Sequence, residues 1–198
     1  MRPALILLAC FVLAGCGPSI APSAAVSPGG TPSTAASAPR IAPPPVTPPT
    51  PPGNTLPSFA CSDVTGGRTG VANAIAARVG EQAGYDRFVL QFDSIIPQYT
   101  VKRQAKPVFA SGGSGQSVTL SGTSGVLVQV HSATGATTFT GPTDYRHSDY
   151  QVLVEARQVE DFEGYFAWGL GLSHPACMRV FVLQEPARLV VDFQTSGA

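Results

Sequence analysis

The sequence predicts an all-β fold: one antiparallel, β-sandwich-like domain over residues 59–198. Three observations carry that prediction. Apolar residues recur with period two in run after run, which places them on one face of a strand. Glycine or proline punctuates the domain about every eight to fifteen residues, at Gly84, Pro97, Gly112, Gly122, Gly141, Gly164, Pro175 and Pro186. No long helical pattern competes, and many short strands so punctuated build sandwiches or barrels.

Two segments of a different kind precede the domain. Arg2 leads into an apolar run, Ala4 to Val12, that ends in Leu13-Ala14-Gly15-Cys16. A positive start, a short apolar stretch and small residues make an export signal, too short for a comfortable permanent span. The Leu-Ala-Gly-Cys ending resembles the lipobox of bacterial lipoproteins. That resemblance implies cleavage after residue 15, a diacylglyceryl anchor on the Cys16 thiol, and attachment to the outer face of the cytoplasmic membrane. A plain secretory signal that contains a cysteine is the alternative. Residues 16–58 then read as a linker. Thirteen of the 19 prolines and a single charge, Arg40, lie between residues 17 and 58. Too little apolar surface is present to offset the entropy of ordering a core, so disorder is expected. The proline density favours an extended spacer with a reach on the order of 100 Å. A passive tether, a Pro-rich ligand for a recognition domain and a glycosylated stalk all fit this composition.

The domain holds 22 of the 24 charges, ten basic and twelve acidic. A near-neutral surface without a Lys/Arg cluster argues against nucleic acid or anionic lipid as a partner. With Cys10 in the signal and Cys16 in the lipobox, Cys61 and Cys177 remain. A disulfide between them is permitted in an exported protein and would contribute about 4–5 kcal/mol in the chain-entropy model. Two buried free thiols are the other possibility.

The first strand is the ambiguous one. In residues 71–80, Val71, Ile75 and Val79 fit a helix face, and alternation fits the same stretch. We read it as a strand hairpinned to the next through Glu81 to Gly84. Phe88, Leu90 and Phe92 then alternate with Arg87 and Gln91, and the runs 126–130 and 150–155 alternate likewise. Phe166, Trp168, Leu170 and Leu172 alternate with Ala167, Gly169 and Gly171. One bulky face and one bare face suit a central strand approached closely from behind. Runs 178–183 and 188–193 close the chain, joined by a turn at Gln184 to Ala187.

Three stretches carry a family resemblance: R-V-G-E-Q-A-G-Y-D-R-F-V-L-Q-F at 78–92, D-F-E-G-Y-F-A-W-G-L-G-L at 161–172, and M-R-V-F-V-L-Q-E-P-A-R-L-V-V-D-F at 178–193. They resemble the AMIN-like domain of exported lipoproteins from high-GC Gram-positive bacteria, over roughly residues 60–195. The closing P-x-R-L-V-V-D-F element relates it loosely to AMIN domains, β-sandwiches that localise cell-wall amidases and secretin subunits by binding peptidoglycan. The resemblance implies a non-enzymatic module for peptidoglycan or an associated wall polysaccharide, or a protein-interaction subunit of an envelope complex. Gln82 departs from the family pattern, which often has histidine there.

Catalytic patterns are sparse. No Ser sits in G-x-S-x-G, and the Gly-rich segment Ser111 to Gly115 has neither the lysine nor the helix of a phosphate loop. His131, His147 and His174 lack metal-ligand spacing, and neither metal nor cofactor is expected. Asp144, His147 and Asp149 form a weak cation-type cluster, while Glu160, Asp161 and Glu163 lack a visible carboxylate partner strand. Two candidate ligand surfaces remain. Arg87, Arg188 and Asp192 form a charged strip if their strands are neighbours, equally the solvated face that a half-exposed sheet requires. Tyr145, Tyr150, Phe162 and Tyr165 flank polar loops, where they could stack on sugar rings or plug strand ends.

Overall fold

The computed structural model describes residues 56–195; the predicted signal, the Cys16 anchor and nearly all of the linker lie outside the described residues. Thirteen strands follow in order: β1 Val64–Gly66, β2 Ala72–Gln82, β3 Tyr85–Phe92, β4 Tyr99–Gln104, β5 Val108–Ala110, β6 Ser117–Thr119, β7 Ser124–His131, β8 Ala133–Thr134, β9 Asp144–Arg146, β10 Leu153–Phe162, β11 Tyr165–Leu172, β12 Met178–Leu183 and β13 Arg188–Gln194. One sheet has the order β12-β13-β3-β2-β8, and the other β1-β4-β7-β11-β10-β9. A short β5-β6 hairpin stands apart from both.

The ambiguous stretch is β2. Its register against β3 shifts between Ala74 and Ala76, a bulge that changes the phase of alternation. Ala72, Ala74 and Ala77 are all buried as a result. That spacing of two then three is why a helical period fitted the same residues. Gln82 pairs with Tyr85 across a two-residue turn, where Gly84 takes a φ of 86°. A tight hairpin requires such left-handed backbone, and glycine supplies it without strain.

The two sheets pack face to face through the residues that the alternation assigns inward. Phe88, Leu90, Phe92, Leu189, Val191 and Phe193 come from one sheet. Val126, Val128, Val130, Phe166, Trp168 and Leu170 answer from the other, all essentially excluded from solvent. Phe88 and Trp168 meet across the interface with ring centroids 5.4 Å apart. Cys61 and Cys177 form a disulfide spanning 116 residues, with Cα atoms 4.3 Å apart.

The bare side of β11 is occupied as the glycines demand. A Cβ on Gly169 would lie 2.6 Å from Phe109 of the β5-β6 hairpin, and one on Gly171 would overlap the Ser121 carbonyl. Phe109, Leu120, Val159 and Ala167 make a small second core there. This hairpin covers the outer face of the sheet along only part of its length.

Three local expectations differ from the structure. The run beginning at Tyr150 becomes a strand only at Leu153, because Val152 and Leu153 are both buried while Asp86 Oδ2 accepts their two N–H groups at 2.7 and 2.9 Å. Asp144 to Arg146 is not a loop but the edge strand β9, paired with β10. The pairing of β2 with β8 is parallel, while every other pairing between these strands is antiparallel; the isolated Arg68–Pro97 bridge is also parallel.

Candidate functional site

The two outer faces of the sandwich hold the candidate residues, and they differ in chemistry. On the β12-β13-β3 sheet, Asp192 stands opposite Arg87 on one side and Arg179 on the other. Arg87 donates to Asp192 through Nε at 2.6 Å and Nη2 at 2.9 Å, and Arg179 Nε donates at 2.7 Å. Asp192 points outward yet is fully buried, because the side chains above it seal it. Arg87 lies over Tyr85 and Phe181, and Arg179 over Phe59 and Tyr85. The hydrogen bond to Asp192 raises the Arg87 pKa still further, against burial. The charged strip is therefore an aromatic-capped ladder whose charges are spent on each other. Arg188 stands outside it, opposite Gln91, with its Nε donating to the Pro186 carbonyl.

The four aromatic candidates separate into three places. Tyr145, on β9, packs against Trp168 and donates its hydroxyl to the Ala77 carbonyl at 2.7 Å. Burial pushes its phenol above the ordinary value, with Arg78 acting the other way. It plugs the gap between the sheets. Tyr150 stacks on His147 at 4.2 Å in the following loop. The groove beside it is lined by Arg146, His147 and the serines Ser121, Ser148 and Ser173. Arg146 is shared between Asp144 and the buried Glu155, whose Oε2 accepts from the Ser121 N–H and hydroxyl.

Phe162 and Tyr165 lie together at the β10-β11 turn, 50% and 41% exposed. They are directly paired, and Tyr165 is in turn paired with His131 on β7. The Tyr165 and His131 rings meet edge-on at 4.9 Å. Because Phe166 faces the core, this row faces outward. The next row of the same face is Glu160, Ala167 and Gln129, with Gln129 Nε2 3.5 Å from Glu160 Oε2. Glu160 and Phe162 also line a groove of about 370 Å³, whose far wall is Ser111, Gly112 and Thr143. Three rings, a carboxylate and an amide thus form a strip on this outer face, bordered by the β5-β6 turn, whose Gly112 lies against Glu160 and Gly113 against the Phe162 ring. Asp161 borders the same groove, but its carboxylate is engaged, accepting from Thr134 Oγ1 and the Gly135 N–H.

Sequence reasoning reached Phe162, Tyr165 and the nearby Glu160 but not His131 or Gln129 as their neighbours. Strand register joins residues over thirty positions apart, and nothing local in the chain encodes it. Gln82, at the end of β2, is exposed and donates to the Glu81 carbonyl. Among the described residues no group of three or more His, Cys, Asp or Glu side chains is placed to hold a metal ion.

No curated protein and no solved structure matches the chain. The AMIN-like domain family does match, over residues 72–195, from the first paired residue of β2 to the end of β13. That span holds every strand of both sheets except β1, together with the Arg87–Asp192 ladder and the aromatic strip, and the chain belongs to the AMIN-like domain family.

Proposed function

We propose that the domain is a non-enzymatic binding module of the cell envelope that engages peptidoglycan or an associated wall polymer. The observation that carries the reading is the Phe162–Tyr165–His131 row beside Glu160 and Gln129. Exposed rings offer flat apolar faces to the C–H faces of sugars, while a carboxylate and an amide satisfy the hydroxyls around them. Membership of the AMIN-like family supports the wall as the partner. Glu160 and Asp161 face opposite sides of β10, which favours binding over acid–base hydrolysis between them. In this reading the Cys16 lipid holds the protein to the outer face of the cytoplasmic membrane, and the proline-rich linker carries the module outward.

Co-sedimentation of the purified full chain with isolated cell walls tests the reading. The full chain should pellet with the walls, and Tyr165→Ala should weaken binding about tenfold, the scale of one lost stacking contact in a small site. A chain that stays in the supernatant, with one dominant protein crosslink in intact cells, would instead identify a protein-interaction subunit.

A further inference from the structure

A pocket of about 240 Å³ opens at one end of the six-stranded sheet, beside the β11–β12 connection that leads to Cys177 and far in register from the aromatic row. Arg103, Ser124, Val126, Leu172, Pro175 and Ala176 line it. Alternation fixes which way the strand residues face. Arg103 shares its face with the buried Val101 and Tyr99, and Ser124 shares its face with Val126 and Val128. Both therefore point between the sheets. Arg103 stands opposite Val126, so Ser124 is its diagonal neighbour on the adjacent strand, within reach of one small bridging group.

Neither polar group is used up by the protein. The Ser124 hydroxyl is buried, with the residue 4% exposed, and has no hydrogen-bond partner. Arg103 donates through Nη1 to the Cys61 carbonyl at 2.8 Å. Among the described residues it has no ion pair; the nearby Asp63 carboxylate accepts from its backbone N–H instead. The residues that carry a guanidinium with free donors and an orphan hydroxyl line the same small space, with Gln104 and a set of aliphatic residues as its other walls. Leaving them unmatched in a partly desolvated site is unfavourable, and a carboxylate satisfies both.

We propose that this pocket binds the carboxylate of a short aliphatic acid or of a peptide ending in small residues, held by Arg103 and Ser124. The walls of Val126, Leu172, Pro175 and Ala176 accept an aliphatic body. The volume is below the roughly 300–1,000 Å³ of sites for larger ligands, which limits the occupant to one or two small residues. The site does not rest on the glycan reading, since it lies at the Ser124–Leu172 end of the β7-β11 pair and the aromatic strip lies at the His131–Tyr165 end.

Titration of the isotope-labelled full chain with N-acetyl-alanyl-alanine, its C-terminal amide and isobutyrate tests the assignment by NMR. The free acid should shift the amides of Ser124, Val126 and Ala176 saturably, and the amide should bind about tenfold more weakly because the charge-assisted contact is lost. Arg103→Gln should weaken the acid by a similar factor, and Ser124→Ala by about threefold. A dipeptide acid tighter than isobutyrate identifies a peptide terminus, and the reverse order identifies a free short acid. Equal binding of acid and amide, or no saturable shift with either acid, overturns the proposal. The acid–amide comparison uses the unaltered protein, so it decides the matter even if Arg103→Gln folds poorly. Tyr165→Ala should leave this binding unchanged, which separates its failure from failure of wall binding.

Discussion

The two outer faces of the sandwich come from strands of similar pattern and end in opposite conditions. On one, Asp192 is wholly enclosed by Arg87 and Arg179 beneath a lid of Phe59, Tyr85 and Phe181. On the other, Phe162, Tyr165 and His131 lie open beside Glu160 and Gln129. Charge alone would have pointed to the first face as the binding surface. Its charges are matched, however, and a matched buried pair supports the fold rather than offering anything to a ligand. The second face keeps two rings, Phe162 and Tyr165, with about half of their surface in solvent. What marks a site here is unspent chemistry, not the density of charged residues.

The sharpest way to break this comparison is to remove the shared carboxylate. Asp192→Ala leaves two largely covered arginine side chains without a counter-charge and should destabilise the domain by about 3–5 kcal/mol in denaturant unfolding. A loss under about 1 kcal/mol would show that the ladder is a solvated strip after all. Next in size is Gly171→Val, which drives a side chain into the Ser121 carbonyl and should cost about 1–3 kcal/mol while displacing the β5-β6 hairpin. Thermal melts with and without wall fragments will show whether the strip survives that displacement.

Smaller still is Tyr145→Phe, which strips the Ala77 carbonyl of its hydroxyl partner. A loss of about 1 kcal/mol in stability with unchanged wall binding is expected. Reduced wall binding at full stability would return Tyr145 to the ligand surface. Arg188→Ala should do least, within about 0.5 kcal/mol in the same unfolding assay, because only its contact to the Pro186 carbonyl is lost.

Much of the architecture was legible because period-two burial is a local property. Phe88, Leu90 and Phe92 declare their face within six residues, and the glycines of β11 announce a close approach before its partner is known. The short strands β1, β5, β6, β8 and β9 were not legible, since two or three residues carry no period. Their pairing is decided by what they cover. Phe109 reads as a loop aromatic until it is placed over Gly169. The site was half legible for the same reason. Phe162 and Tyr165 are three residues apart, whereas His131 and Gln129 join them only through the β7-β11 register. Asp86 shares the inward phase of Phe88, Leu90 and Phe92, and only the fold shows that its carboxylate organises the start of β10 from inside.

The most direct test asks which face a wall polymer touches. Backbone amide shifts of the full chain should be recorded as soluble muramidase-released wall fragments are added. The account predicts saturable shifts at Gln129, His131, Glu160, Phe162 and Tyr165, with Arg87, Arg179 and Asp192 unmoved. Shifts confined to Arg87, Arg179 and their aromatic lid, with the Tyr165 row silent, would contradict it.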